Sequence, residues 1–297
     1  MLRHTVQPLR LSLAPRLLQR TLTSSRPVSR QPTSPSLLIF DREHKRLQKD
    51  RAAADPTSSR EVDYLRDEVA RQLVDRLRDI KRRFPTLVEL GAHSGHLRRH
   101  VNRDLTDRIV QCDLSSGILY RDQHEPASGP ASASTAPFDR NDNPFPENSL
   151  DAVVSNLSLH WVNDLPGALI QIRRSLVPDG MFLGAMVGGD SLFELRTSLQ
   201  LAELEREGGM SPRVSPMTDP RDMSDLLARA GFALTTVDVD EIVVNYPSAL
   251  HVMQDLRAMG ESNAIIRRRP YLPRDTLMAA TSIYQALHGN EDGTVPA

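Results

Sequence analysis

From Val62 through Leu65, Val69, Leu73, Leu77 and Ile80, apolar residues recur every three or four positions. That is the period of a helix with one buried face, and Pro85 predicts its end. Ahead of it, Asp41 precedes a short charged stretch over 41–51 that reads as a helix with Asp41 as N-cap. After residue 85 the pattern changes to short apolar runs at 86–90, 109–113, 151–155 and 181–186, each of strand length. Helices are expected near Gly95, near Ser115 and over 164–176, and Pro178-Asp179-Gly180 supplies a turn. Strands alternating with helices imply a mostly parallel sheet covered on both faces. Further helices are expected over 190–207 and 219–230. Apolar runs at 234–239 and 241–246 predict a strand pair that closes the sheet as an antiparallel edge. The tail, 248–288, reads as helical with a break at Arg267-Arg268-Arg269-Pro270. The Ala/Ser/Pro/Gly-rich stretch 125–136 reads as a flexible surface insertion.

Composition narrows this picture. A chain of 297 residues with 39% hydrophobic residues has room for one large α/β domain with attachments. The single cysteine, Cys112, excludes an internal disulfide and a cysteine-cluster zinc site. No apolar run approaches the roughly 20 residues of a membrane-spanning helix, so membrane contact is expected to be peripheral. Residues 1–40 hold six arginines (Arg3, Arg10, Arg16, Arg20, Arg26, Arg30) and no Asp or Glu. An Arg-, Ser- and Leu-rich opening without acids is the composition of a mitochondrial presequence, assigned to 1–36. Without it, 31 basic residues face 38 acidic ones, a net charge of −7 that argues against a nucleic-acid partner. The expected organisation is therefore presequence 1–36, N-terminal helical segment 37–85, main domain 86–247 and helical tail 248–297.

Candidate chemistry begins where the first strand runs into Gly91-Ala92-His93-Ser94-Gly95 and then a helix. A glycine loop opening a helix at the carboxyl edge of a sheet lets backbone approach a nucleotide. Glu89 lies two residues before the loop. Asp113 ends the next strand, 24 residues on, where a carboxylate can accept both ribose hydroxyls. Asp139 sits where a third strand should end and is a candidate acceptor for the adenine amino group. The fourth strand delivers Ser155 through Trp161 to the same edge, with Leu157 against the nucleotide and His160 and Trp161 at the mouth. In this order the four elements predict a Rossmann-like class I fold that binds S-adenosyl-L-methionine through Glu89, Gly91, Gly95, Asp113, Asp139 and Leu157. The sheet is expected to be seven-stranded and mostly parallel.

Three longer motifs carry a resemblance. Phe40-Asp41-Arg42 with Lys45, Gln48 and Arg51, the run from Ser155 to Pro166, and Gly188-Gly189-Asp190-Ser191-Leu192-Phe193-Glu194-Leu195-Arg196 resemble the complex I assembly factor five family of mitochondria. That family is similar in turn to the malonyl-carrier methyltransferases of biotin synthesis. The resemblance spans nearly everything from Leu38 onward. It implies a methyltransferase fold used to hydroxylate an arginine of an iron–sulfur subunit of complex I, on the matrix side of the inner membrane. The sequence departs from the family at His93, where a third glycine is usual, and in the 125–136 insertion.

Roles follow as expectations. Trp161 can stack on a guanidinium and His160 can orient or deprotonate, unless both are simply wall residues. Lys45, Gln48 and Arg51 lie about one helical turn apart, as a polar stripe toward the cofactor carboxylate or as a solvated face. Asp190 and Glu194 suit a helix N-terminus. His93, His96 and His100 cluster, but in the space a nucleotide would fill, so no metal site is assigned. Two other functions stay open: an S-adenosylmethionine-dependent methyltransferase acting on a protein or carrier, and a non-catalytic assembly chaperone.

Overall fold

The computed structural model describes residues 38–122, 133–137 and 145–297. The presequence assignment and Asp139 lie outside these residues. The chain opens with α1 (Arg42–Ala54), α2 (Pro56–Glu61) and α3 (Tyr64–Asp79). Asp41 caps α1, its side chain accepting from the His44 N–H. α3 stops at Asp79, six residues before Pro85; that proline lies inside β1 (Phe84–Leu90). Near a strand's first residue the missing N–H costs no ladder bond.

Then follow α4 (His96–His100), β2 (Thr106–Asp113), α5 (Ser116–Leu119), β3 (Ala133–Pro137) and β4 (Leu150–Asn156). A 3-10 turn at Leu159–Trp161 leads into α6 (Leu165–Ser175) and β5 (Leu176–Ala185). The five strands form one parallel sheet in the order β3-β2-β1-β4-β5. The order reverses between β1 and β4, and it is beyond the carboxyl ends of strands at such a reversal that ligands bind. β3 begins inside the stretch expected to be a flexible insertion; its backbone pairs with β2 from Ile109 to Asp113.

Alternation along β1 feeds two cores. Leu87 packs with Val69, Leu73 and Leu77 of α3, whereas Val88 and Leu90 pack with Ile172 and Leu176 on the other face. Each such side chain contributes about 1.5–3 kcal/mol by burial. Beyond the sheet, α7 (Phe193–Glu207), α9 (Ala249–Ala258) and α10 (Arg274–His288) enclose a separate cluster around Leu199, Val252 and Tyr284. Between α7 and α9 lie α8 (Pro220–Arg229) and the short β6 (Asn245–Tyr246).

The antiparallel pair expected at 234–239 and 241–246 does not close the sheet. Asp238 and Asp240 both accept from Arg76 of α3, at 2.8 and 2.9 Å, which pins that segment as irregular chain. β6 pairs instead with β7 (Val295–Pro296), an antiparallel couple separate from the main sheet. Of the expected pair only Asn245–Tyr246 is strand, because alternation does not name a partner. The described strands are thus five parallel and two antiparallel rather than seven in one sheet.

The N-terminal end of α1 is strapped down. Asn163 accepts from the N–H groups of Ile39 and Phe40 at 2.9 and 2.7 Å and donates to the Phe40 carbonyl at 3.0 Å. Asp41 N–H donates to the Ala264 carbonyl at 2.7 Å, and Ile266 N–H to the Ile39 carbonyl at 2.9 Å. The strap lays α1 across the carboxyl edge of the sheet.

Candidate functional site

The loop after β1 takes positive φ at alternate residues: 75° at Gly91, 49° at His93 and 87° at Gly95. Glycine enters this region freely; a histidine does so at some cost. The N–H groups of Gly91 and Ala92 both donate to the Cys112 carbonyl, at 2.7 and 3.0 Å, drawing the loop onto the end of β2. A Cβ on Gly95 would stand 2.9 Å from Gln111 Nε2, the atom that donates to Glu89 Oε2 at 3.0 Å. Glu89 is wholly buried, and its Oε1 lacks a well-formed hydrogen bond. Burial pushes its pKa up to about 8, with the nearby Asp113 charge adding to the shift.

Asp113 is saturated. Lys49 Nζ lies 3.0 and 2.9 Å from its two oxygens, Ser115 N–H donates to Oδ1 at 3.0 Å and His93 N–H to Oδ2 at 3.1 Å. Both ends of this ion pair are buried. Lys49 comes from α1, four residues after Lys45 and so on the same helix face. The stripe named from sequence therefore has an unforeseen member. Lys45 and Gln48 are buried with Lys49, Gln48 Nε2 donating to the Asn263 carbonyl at 2.9 Å, while Arg51 is exposed in the last turn.

At the end of β4, Ser155 Oγ donates to the Leu90 carbonyl at 2.9 Å and Asn156 Nδ2 to the Arg66 carbonyl at 3.0 Å. Leu157 has φ of 43° and packs against the α3-side core. Trp161 is buried, with its Nε1 donating to Glu261 Oε2 at 2.5 Å and Phe40 meeting it edge-on at 5.2 Å. His160 lies beside it, Nε2 3.6 Å from Glu261. Arg66 Nη2 donates to Glu261 Oε1 at 2.6 Å. Burial alone would raise the Glu261 pKa, but Lys45, His160 and Arg66 hold it well below the usual carboxylate range. Sequence reasoning missed Glu261, Arg66 and Lys49.

The histidine cluster is divided by its partners. His96 is held by Asp67 at 2.7 Å and by Ser94 Oγ at 3.0 Å, inside an ion network with Asp63, Arg99, Arg121 and Asp122. Burial lowers the His96 pKa despite those carboxylates. Arg121 also donates to Ser94 Oγ at 2.8 Å, so this network braces the glycine loop from behind. The loop carrying Gly91 and Gly95 is thus tied to Glu89 and Asp113 at the ends of β1 and β2; Leu157, His160 and Trp161 follow β4, and α1 closes over Asp113 through Lys49.

Residues 62–237 match the profile of a methyltransferase domain family. The chain is 49% identical over 259 residues to the mitochondrial arginine-hydroxylase NDUFAF5 of Danio rerio, covering 87% of this chain and 79% of that one. It is 48% identical over 266 residues to the Homo sapiens protein of the same name, covering 89% and 76%. A malonyl-[acyl-carrier protein] O-methyltransferase of Halorhodospira halophila is 32% identical over 80% of this chain and 79% of its own. Among solved structures, the YcgJ protein of Bacillus subtilis superposes with a TM-score of 0.50 over 75% of this chain and 92% of that one. At 13% identity it bears on fold alone.

Proposed function

Because the chain belongs to the family of mitochondrial arginine hydroxylases built on a methyltransferase domain, we propose that it hydroxylates an arginine of a complex I subunit during assembly. The observation that carries this reading is identity of 47–49% over most of the chain to vertebrate arginine hydroxylases. The finer parts of the proposal are an iron–sulfur subunit as substrate and action on the matrix side of the inner membrane. They rest on the motifs from Phe40, Ser155 and Gly188 onward. No helix among the described residues is long and apolar enough to cross a membrane, which suits peripheral association.

The crevice fits S-adenosyl-L-methionine. The positive-φ loop leaves room for backbone approach, and the buried Glu89 Oε1 is an acceptor suited to a donor group of that ligand. Asp113 would accept the ribose hydroxyls once Lys49 yields part of the carboxylate. Gly91, Gly95 and Leu157 would line the cofactor, with Gln48 on the α1 side; Lys45 is engaged by the Gly260 and Ser262 carbonyls instead. Arg51 and Asp139 remain candidates on sequence grounds alone. When bound, the cofactor supplies a sulfonium centre between an uncharged adenosine and a zwitterionic amino-acid end. His160 and Trp161 then orient the substrate, and the side chains of α1 exclude water. Hydroxylation itself converts C–H to C–OH with dioxygen, two electrons and two protons, the second oxygen leaving as water; dioxygen and the reductant come from outside this chain.

A second reading has its own support: the 32% identity to a carrier methyltransferase favours methyl transfer from the same crevice. Intact masses of complex I subunits from a deletion strain separate the two. Loss of about 16 Da from an arginine peptide supports hydroxylation, and loss of about 14 Da supports methylation. Assembly rescued fully by Glu89→Ala with Asp113→Ala would instead favour a non-catalytic chaperone.

A further inference from the structure

Lys45 sits in a receptor built for a cation. Its Nζ lies 3.5 Å from the centroid of the Trp161 ring and donates to the carbonyls of Ser262 and Gly260 at 2.8 and 3.1 Å. Glu261 Oε2 stands 3.9 Å away. An aromatic face, two carbonyls and a carboxylate converging on one point are the chemistry of cation recognition. The walls hold without the lysine. Trp161 is fixed by Glu261 and Phe40, and Glu261 by Arg66.

The resident cation is poorly matched to this place. Burial lowers the Lys45 pKa to about 7 against the pull of Glu261, with the cations Lys49, Arg66 and Arg268 adding to the shift, so this ammonium holds its charge weakly. A guanidinium keeps its charge throughout the ordinary pH range. It also stacks flat on indole and offers several N–H donors in one plane. Position agrees with this. Lys45 precedes Lys49 by one turn of α1, so the receptor lies one helical turn from the Lys49–Asp113 ion pair.

We propose that the Trp161 indole face, the Glu261 carboxylate and the carbonyls of Gly260 and Ser262 receive the guanidinium of the arginine substrate. In this scheme Lys45 is a tethered occupant that the substrate displaces. The proposal rests on the arginine-hydroxylase reading and assigns that reading its substrate site.

Trp161 is the only tryptophan of the chain, so its fluorescence reports on the receptor directly. The full chain is titrated with Nα-acetyl-arginine amide and, as the uncharged match, Nα-acetyl-citrulline amide. Lys45→Met keeps the apolar stem, removes the competitor and is expected to bind the arginine probe roughly tenfold tighter than the wild type. Adding Glu261→Gln should erase that gain, and the citrulline probe should not bind. Equal affinity of wild type and Lys45→Met, or equal binding of the two probes, overturns the proposal.

A measurement on the wild type covers a variant that fails to fold. Saturating arginine probe should expose Lys45 to acetylation by acetic anhydride, read by peptide mass; unchanged labelling overturns the displacement. Failure here is separable from failure of the hydroxylase reading. An arginine of complex I still carrying the added oxygen in cells with Glu261→Gln would sink the receptor and leave that reading intact.

Discussion

Glu203 and Asp113 are both buried carboxylates, and they are satisfied in opposite ways. Glu203, on α7, accepts from the Ser211 N–H, the Ser211 hydroxyl and Arg213 Nε, each at 2.6 Å. All its partners lie within ten residues, in the chain that turns away from the same helix. Asp113 takes its cation from Lys49, 64 residues earlier, and Glu261 takes Arg66 from 195 residues away. A carboxylate closed by its own neighbours fixes a local turn. One closed by a distant helix can be reopened when that helix moves, and the nucleotide crevice is bounded by the second kind.

The contrast breaks most visibly at Asp113. Asp113→Ala leaves the Lys49 ammonium buried without its carboxylate and should cost about 3–5 kcal/mol in urea unfolding. S-adenosylhomocysteine binding should also be lost, as calorimetry would show. Lys49→Met with Asp113→Asn should recover most of the stability, since no lone charge then remains. If the double variant is no more stable than Asp113→Ala, the pair is not the source of the cost.

Glu203→Gln should destabilise by about 1–3 kcal/mol, yet leave S-adenosylhomocysteine affinity where it was. A change in that affinity would remove the distinction between the two regions. Glu89 gives a smaller, pH-dependent effect. The folded state holds its proton up to about pH 8, whereas the unfolded chain releases it from about 4.5. Stability contributed by this group is therefore present in acid and falls as pH rises between those values, by at most about 1.4 kcal/mol per pH unit. Glu89→Gln should flatten that slope, measured as melting temperature at pH 6 and pH 8. The smallest effect is expected at His93, where φ is 49°. His93→Gly should tighten S-adenosylhomocysteine binding by roughly threefold as backbone restriction and side-chain bulk leave the loop. Weaker binding would mean the imidazole supports the loop.

Much of this was legible in the sequence. The four apolar runs that became β1, β2, β4 and β5 were readable because parallel strands buried on both faces are continuous apolar segments. Asp113 and Glu89 were readable because their distance from a glycine loop is set by strand length. Lys49 was not singled out among the cations of α1, although an offset of four from Lys45 puts both on one face. Glu261 and Arg66 left no signal: one stands in aperiodic chain and the other in a helix whose apolar stripe explains its neighbours. The run at 234–246 misled because an alternating pattern does not supply a strand with a neighbour to pair with, and Arg76 holds Asp238 and Asp240 instead.

The strap at Asn163 has a consequence for the order in which the molecule forms. Ile39, Phe40 and Asp41 are made before their partners, Asn163, Ala264 and Ile266, which follow more than 120 residues later. Closing so long a span carries an entropic cost that is met only after the intervening sheet exists. α1 should therefore dock last, onto a crevice already shaped by β1, β2 and β4. For that interval Asp113 stands without Lys49, and a nucleotide meets an open site that the finished fold keeps covered.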